Sequence, residues 1–277
     1  MGAQTNATLP ERVPSLVSRM EALRPLLGQL GREDLHAALA PVLAAFAADR
    51  PPEPVRESVD GAIAFCRHLY SAARSSEAIP LAQAAFELAG RAGDRPLRFR
   101  AAAACGIVHG DAGDVVTSIE HHLESLRAAA ADDIPREMSR AWCNIGVTFA
   151  TAGNYALAAP AFHRAFGLCD PDDRIGPTRF LACSNLASAY FHLGQFEEGL
   201  RFARLALGYA TPESRKDPQA EILLHRNFVS LLVALGRAAE AEEHALAAAS
   251  LARAAATPRA AGAAAGARAP WGVGTRG

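Results

Sequence analysis

Three asparagines, Asn144, Asn185 and Asn227, recur at intervals of 41 and 42 residues. A carboxamide offers donors and an acceptor together, the set needed to hold the main chain of an extended peptide. One helical turn away on the same expected face lie Arg140 and Thr151 near Asn144, Ser188 and His192 near Asn185, and Arg226 and Ser230 near Asn227. Arg140 and Arg226 add the forked guanidinium that grips a carboxylate. The ladder admits two readings: contact with a bound segment, or hydrogen bonds that tie neighbouring helices together.

Other chemistries find little in this sequence. His109, His121 and His122 are close, but the last two are adjacent and diverge by about 100° around a helix. No Cys/His spacing resembles a zinc site. Gly272, Gly274 and Gly277 match the dinucleotide glycine pattern formally, yet that pattern needs a strand before it and a helix after it. No GxxxxGK loop, HExxH or GxSxG is present. The pairs Glu197-Glu198 and Glu242-Glu243 belong to polar helical faces. The expectation is a chain with no catalytic residue, no cofactor and no metal.

Half of the 277 residues are hydrophobic, mostly Ala and Leu, which favours helix over strand. Lys216 is the one lysine and the net charge is -1, so no global field draws in nucleic acid or a membrane. Five cysteines form no CxxC pair, and four of them (Cys66, Cys105, Cys143, Cys183) sit in apolar stretches. Reduced thiols packed as small hydrophobes suit a cytoplasmic protein. No run approaches the ~20 apolar residues that span a bilayer, and the first residues show no signal-peptide pattern.

The elements that position the ladder are marked by glycines. Gly113, Gly153, Gly194 and Gly236 recur at 40, 41 and 42 residues, each between two apolar helical patterns. They predict a φ > 0 turn that ends one helix and starts the next. Ala73 stands at that place in the first unit, and Asp114 and Asn154 are the expected N-caps after it. A small column (Cys66, Gly106, Gly146, Ala187, Val229) marks close helix approach, and a larger group follows three residues on (Leu69, His109, Phe149, Tyr190, Leu232). Ala158, Gly199 and Ala241 let each hairpin close, while Ala85, Ala165, Ala206 and Ala248 meet the next one. Five helix pairs are predicted, near 56–92, 96–131, 135–169, 174–210 and 217–255.

The segment Trp142-x-x-Ile145-Gly146-x-x-Phe149 … Gly153-x-Tyr155-x-x-Ala158-x-x-x-Phe162-x-x-Ala165 resembles the tetratricopeptide repeat, TPR. So do Leu186-Ala187-x-x-Tyr190 … Gly194-x-Phe196 … Ala206 and the unit at 222–250. Ser118, His122 and Ser125 depart from it, standing where apolar or small residues belong. The resemblance implies an all-α, right-handed α-solenoid of about five hairpins over 55–255, whose first helices line a concave groove that holds a protein or peptide segment. It places asparagines like these against the ligand. More diffusely, the chain is similar to N-terminal sensory regions of bacterial GGDEF-type diguanylate cyclases, although it contains no GGDEF sequence.

The remaining segments read as a disordered tail over 1–12, a helical cap over 13–54 with patterns at Val13–Leu30 and Arg32–Ala48, and a low-complexity tail over 256–277. That last tail is either native or what remains where a downstream domain is lost. The function expected is a non-catalytic protein-binding module, a sensory or scaffolding input region of a bacterial signalling protein, with a homodimer left open. The alternatives are a peptide-sensing transcription-regulatory repeat protein, for which 13–48 carries few basic residues, or a truncated diguanylate cyclase.

Overall fold

The computed structural model of the chain describes residues 55–169, 177–210 and 218–256. The tails and helical cap expected outside 55–255 lie outside the described residues, save Ala256, which ends the last helix. Ten helices follow one another: α1 Val55–Ser71, α2 Ser75–Ala92, α3 Arg95–Asp111, α4 Val115–Ala131, α5 Pro135–Thr151, α6 Tyr155–Gly167, α7 Pro177–His192, α8 Phe196–Gly208, α9 Pro218–Ala234 and α10 Ala238–Ala256. They pair into five hairpins, and no strand occurs among the described residues.

Each hairpin turn has the same backbone. Gly113, Gly153, Gly194 and Gly236 take φ between 72° and 88°, and Ala73 takes φ 57° in the first hairpin. After each of them, an amide reaches five residues back: Arg74 to Leu69, Asp114 to His109, Asn154 to Phe149, Gln195 to Tyr190 and Arg237 to Leu232, at 2.8–2.9 Å. These bonds satisfy carbonyls that a helix end leaves open. The caps follow the sequence as well. Asp114 accepts from the Thr117 amide and Asn154 from the Leu157 amide, both at 3.2 Å. Asp94 does the same for Leu97 at 2.9 Å, with a proline in the first turn of α3.

Small residues set how closely the helices approach. A Cβ added at Gly146 would come within 2.5 Å of the Phe162 ring, and one at Gly199 within 2.6 Å of Leu231 and 3.1 Å of the Ala187 carbonyl. Ala158, Ala165, Ala187, Ala203 and Ala206 are all fully buried. Cys66, Cys105, Cys143 and Cys183 are buried free thiols, and burial raises the pKa of each, that of Cys183 to about 12.

Each odd helix packs on the next odd helix as well as on its sequence neighbours, whereas the even helices make no comparable contact with one another among the described residues. The odd helices are therefore the more closely spaced layer, the inner side of a curved stack. The architecture is an α-solenoid, and the inner layer is what carries the asparagine ladder.

Candidate functional site

Within hairpin two, α3 and α4 pack across a seam that is polar where its counterpart in hairpin three is apolar. In α6 the seam positions are Ala158, Phe162 and Ala165; in α4 they are Ser118, His122 and Ser125, equally buried. Both hydroxyls donate to backbone carbonyls, Ser118 Oγ to Gly106 at 2.7 Å and Ser125 Oγ to Phe99 at 3.2 Å. Ser118 Oγ also meets Thr148 Oγ1 at 2.9 Å, and Thr148 bonds back to the Asn144 carbonyl at 3.1 Å. His122 is different. Its Nδ1 is buried with no hydrogen-bond partner, and burial lowers its pKa to about 3, so the ring is neutral at pH 7.

His122 is one wall of a recess that opens on the inner layer. Tyr70 of α1, Ile107, Gly110 and Asp111 of α3, and Asn144 of α5 form much of the rest, completed by Val147, Thr148 and Thr151. Its volume is about 40 Å³, room for two or three waters or one small polar group. Asp111 accepts from Ser75 Oγ at 2.5 Å and has no cationic partner among the described residues. The Asn144 carboxamide makes no hydrogen bond among them either, although the residue is only 8% exposed.

The three asparagines thus occupy one column but have different partners. Asn227 is buried and donates from Nδ2 to the Ser184 carbonyl at 3.0 Å, tying α9 to α7. Asn185 is half-buried, and its side chain, like that of Asn144, has no partner among the described residues. Their companions are also sorted. Arg140 lies against Glu137 through contacts at 3.0 and 3.1 Å, in a spot where burial lowers its pKa and Glu137 opposes the shift. Arg226 and Ser230 are exposed, Ser188 is half-buried, and Arg226 has no ion-pair partner among the described residues. The exposed His192 ring stacks on Tyr155 of the preceding hairpin, with centroids 4.0 Å apart. Trp142 lies beneath the Arg164 guanidinium at 4.5 Å, and Tyr190 Oη meets His163 Nε2 at 2.7 Å.

Only Asn144 and Thr151 of the sequence-derived groove residues reach the recess. Asp111, Tyr70, Thr148 and His122 line it without having been singled out as groove residues. The signal for His122 lay in its departure from the apolar column. Asp111 shares the column of Thr151 and His192, whose differing types conceal the shared position. The histidines near α4 do diverge: His121 stacks on His109 at 5.7 Å while His122 faces Gly106. Among the described residues no three His, Cys, Asp or Glu side chains gather as a metal site would require.

No family model matches the sequence, and no curated protein matches it. Solved structures do resemble it. BtubC (BKLC) from P. vanneervenii superposes with a TM-score of 0.58 at 15% identity, over 90% of this chain and 92% of that one. A Podosopora anserina protein assigned as a kinesin light chain, with nearly identical TPR-like repeats, superposes with a TM-score of 0.55 at 14% identity, over 72% of this chain and 97% of that one. At such identities the likeness is one of fold: this chain is built as TPR-like solenoids are built. No described helix is long and apolar enough to cross a membrane.

Proposed function

We propose that the chain is a non-catalytic interaction module whose inner layer holds an extended segment of a protein partner. The observation that carries this reading is the recess at Asn144, where the Asn144 carboxamide faces the inner layer without a hydrogen-bond partner among the described residues. A bound main chain would hydrogen-bond to that carboxamide in place of solvent, a net gain of about 0.5–1.5 kcal/mol per bond. Asn144 and Asn185 supply the free carboxamides, Asn227 braces the layer, and Arg226, Ser188, Ser230 and His192 extend the contact line. Arg140 joins it only by leaving Glu137.

The finer form of this reading is a sensory or scaffolding input region of a cytoplasmic bacterial signalling protein, a role supported by the sequence resemblance alone. The test is selection from a display library of unstructured peptides against the full chain. The double variant Asn144→Ala, Asn185→Ala should bind the selected peptides at least tenfold more weakly with unchanged helical circular dichroism. Equal binding by the double variant would refute the role of the inner layer.

A further inference from the structure

We infer that the recess at the C-terminal ends of α1, α3 and α5 receives the ammonium of a lysine side chain from the bound segment. This rests on the groove reading above and gives it a chemical preference.

The groups free to bond are acceptors or carry one. They are the Asp111 carboxylate, without a cationic partner among the described residues, and the Asn144 carboxamide oxygen. An ammonium carries three donors and no acceptor, and so complements such a set. Tyr70, Asp111 and Thr151 lie in the last turns of α1, α3 and α5, which end at Ser71, Asp111 and Thr151. Their partial negative charge is opposed by the N-terminal ends of α2, α4 and α6, which begin at Ser75, Val115 and Tyr155 in the same turns, so the preference for a cation comes from the Asp111 carboxylate.

The neighbouring cations do not cancel this field. Arg74, next to Ser75, is paired with Glu77 at 2.6 Å, and Arg100 and Arg140 sit at the opposite ends of α3 and α5, about 16 Å away along the helix axes. Both are engaged, Arg100 with Asp60 at 2.7 Å and Arg140 with Glu137 at 3.0 Å. Ile107, Val147 and Tyr70 give the wall an apolar stretch beside the acceptors. A lysine combines an apolar four-carbon stem with a compact charged head, and that combination suits such a wall.

The experiment selects peptides from a random display library against the full wild-type chain and against Asp111→Asn, an isosteric change that can still accept from Ser75. The expected result is lysine enrichment at one peptide position with the wild type, lost with the variant. Replacing that lysine by norleucine in a selected peptide should weaken binding to the wild type at least tenfold and to Asp111→Asn less than twofold. Thr151→Lys, which sets a cation on the exposed rim, should abolish the preference in the same way and serves if Asp111→Asn does not fold. Binders without lysine enrichment, or an equal norleucine effect in both proteins, would overturn the inference and leave the groove intact. Failure to select any peptide would overturn both.

Discussion

The His122 imidazole fills the space that a side chain at residue 106 would need: a Cβ on Gly106 would stand 2.3 Å from His122 Cε1. The same notch recurs one repeat later, where Gly146 faces the Phe162 ring at 2.5 Å. Repetition of this contact, ring against glycine, ties the degenerate second hairpin to the regular third one. Gly106→Ala and Gly146→Ala should each cost about 1–3 kcal/mol by overpacking. Thermal unfolding checks this, and a melting temperature unchanged in both variants would contradict the packing described.

His122 makes the second hairpin sensitive to acid. Its folded pKa lies near 3, below the ordinary value of 6.5. Between those values the unfolded chain binds the extra proton, so stability falls as pH drops from 6.5 towards 3. His122 alone contributes a loss of about 3 kcal/mol by pH 4. His225 and His244, their pKa values also lowered by burial, act in the same direction. His122→Phe should reduce the acid sensitivity and add about 1–2 kcal/mol at neutral pH, because it removes an unpaired buried nitrogen. Urea unfolding at pH 7 and pH 4.5 compares the two proteins; parallel pH profiles would be evidence against a neutral, buried His122.

Ala73 holds a left-handed turn at φ 57° where every later hairpin has glycine. That conformation costs a residue with a Cβ about 1–2 kcal/mol, part of which glycine returns through its looser unfolded chain. Ala73→Gly should therefore stabilise the protein by about 0.5–1 kcal/mol, while Gly153→Ala should destabilise it by a similar amount. Matched denaturant midpoints would show whether the two changes have opposite signs.

The repeat is legible in the sequence because its turns and small columns have a single physical cause. Gly153 is needed for φ > 0 and Gly146 for the Phe162 ring, and neither role depends on anything remote. The site is less legible. Asn144 and Asn227 are equivalent by position, yet Asn227 reaches the Ser184 carbonyl and Asn144 faces a recess. That difference depends on how α9 sits on α7 and α5 on α3, which a column of identical residues does not encode. Asp111 illustrates the same limit. Its place is fixed by the repeat, but its surroundings, Ser75, Asn144 and His122, come from three other helices.

Asn227 and Asn144 should respond differently to truncation. Asn227→Ala removes a buried bond between α9 and α7, a loss of about 0.5–1.5 kcal/mol, while the Ser184 carbonyl keeps its place in the α7 helical ladder. Asn144→Ala, without a protein partner to lose, should leave stability within about 0.5 kcal/mol. Differential scanning calorimetry of the two variants separates bracing from binding; equal losses would contradict that division.

The proposed partner segment lies along the odd helices. Hydrogen exchange of the full chain, with and without a peptide selected from the library, tests it most directly. Slowed exchange is expected in the last turns of α3 and α5 and along α7, with α4, α6 and α8 unchanged. Protection confined to the even helices would contradict it.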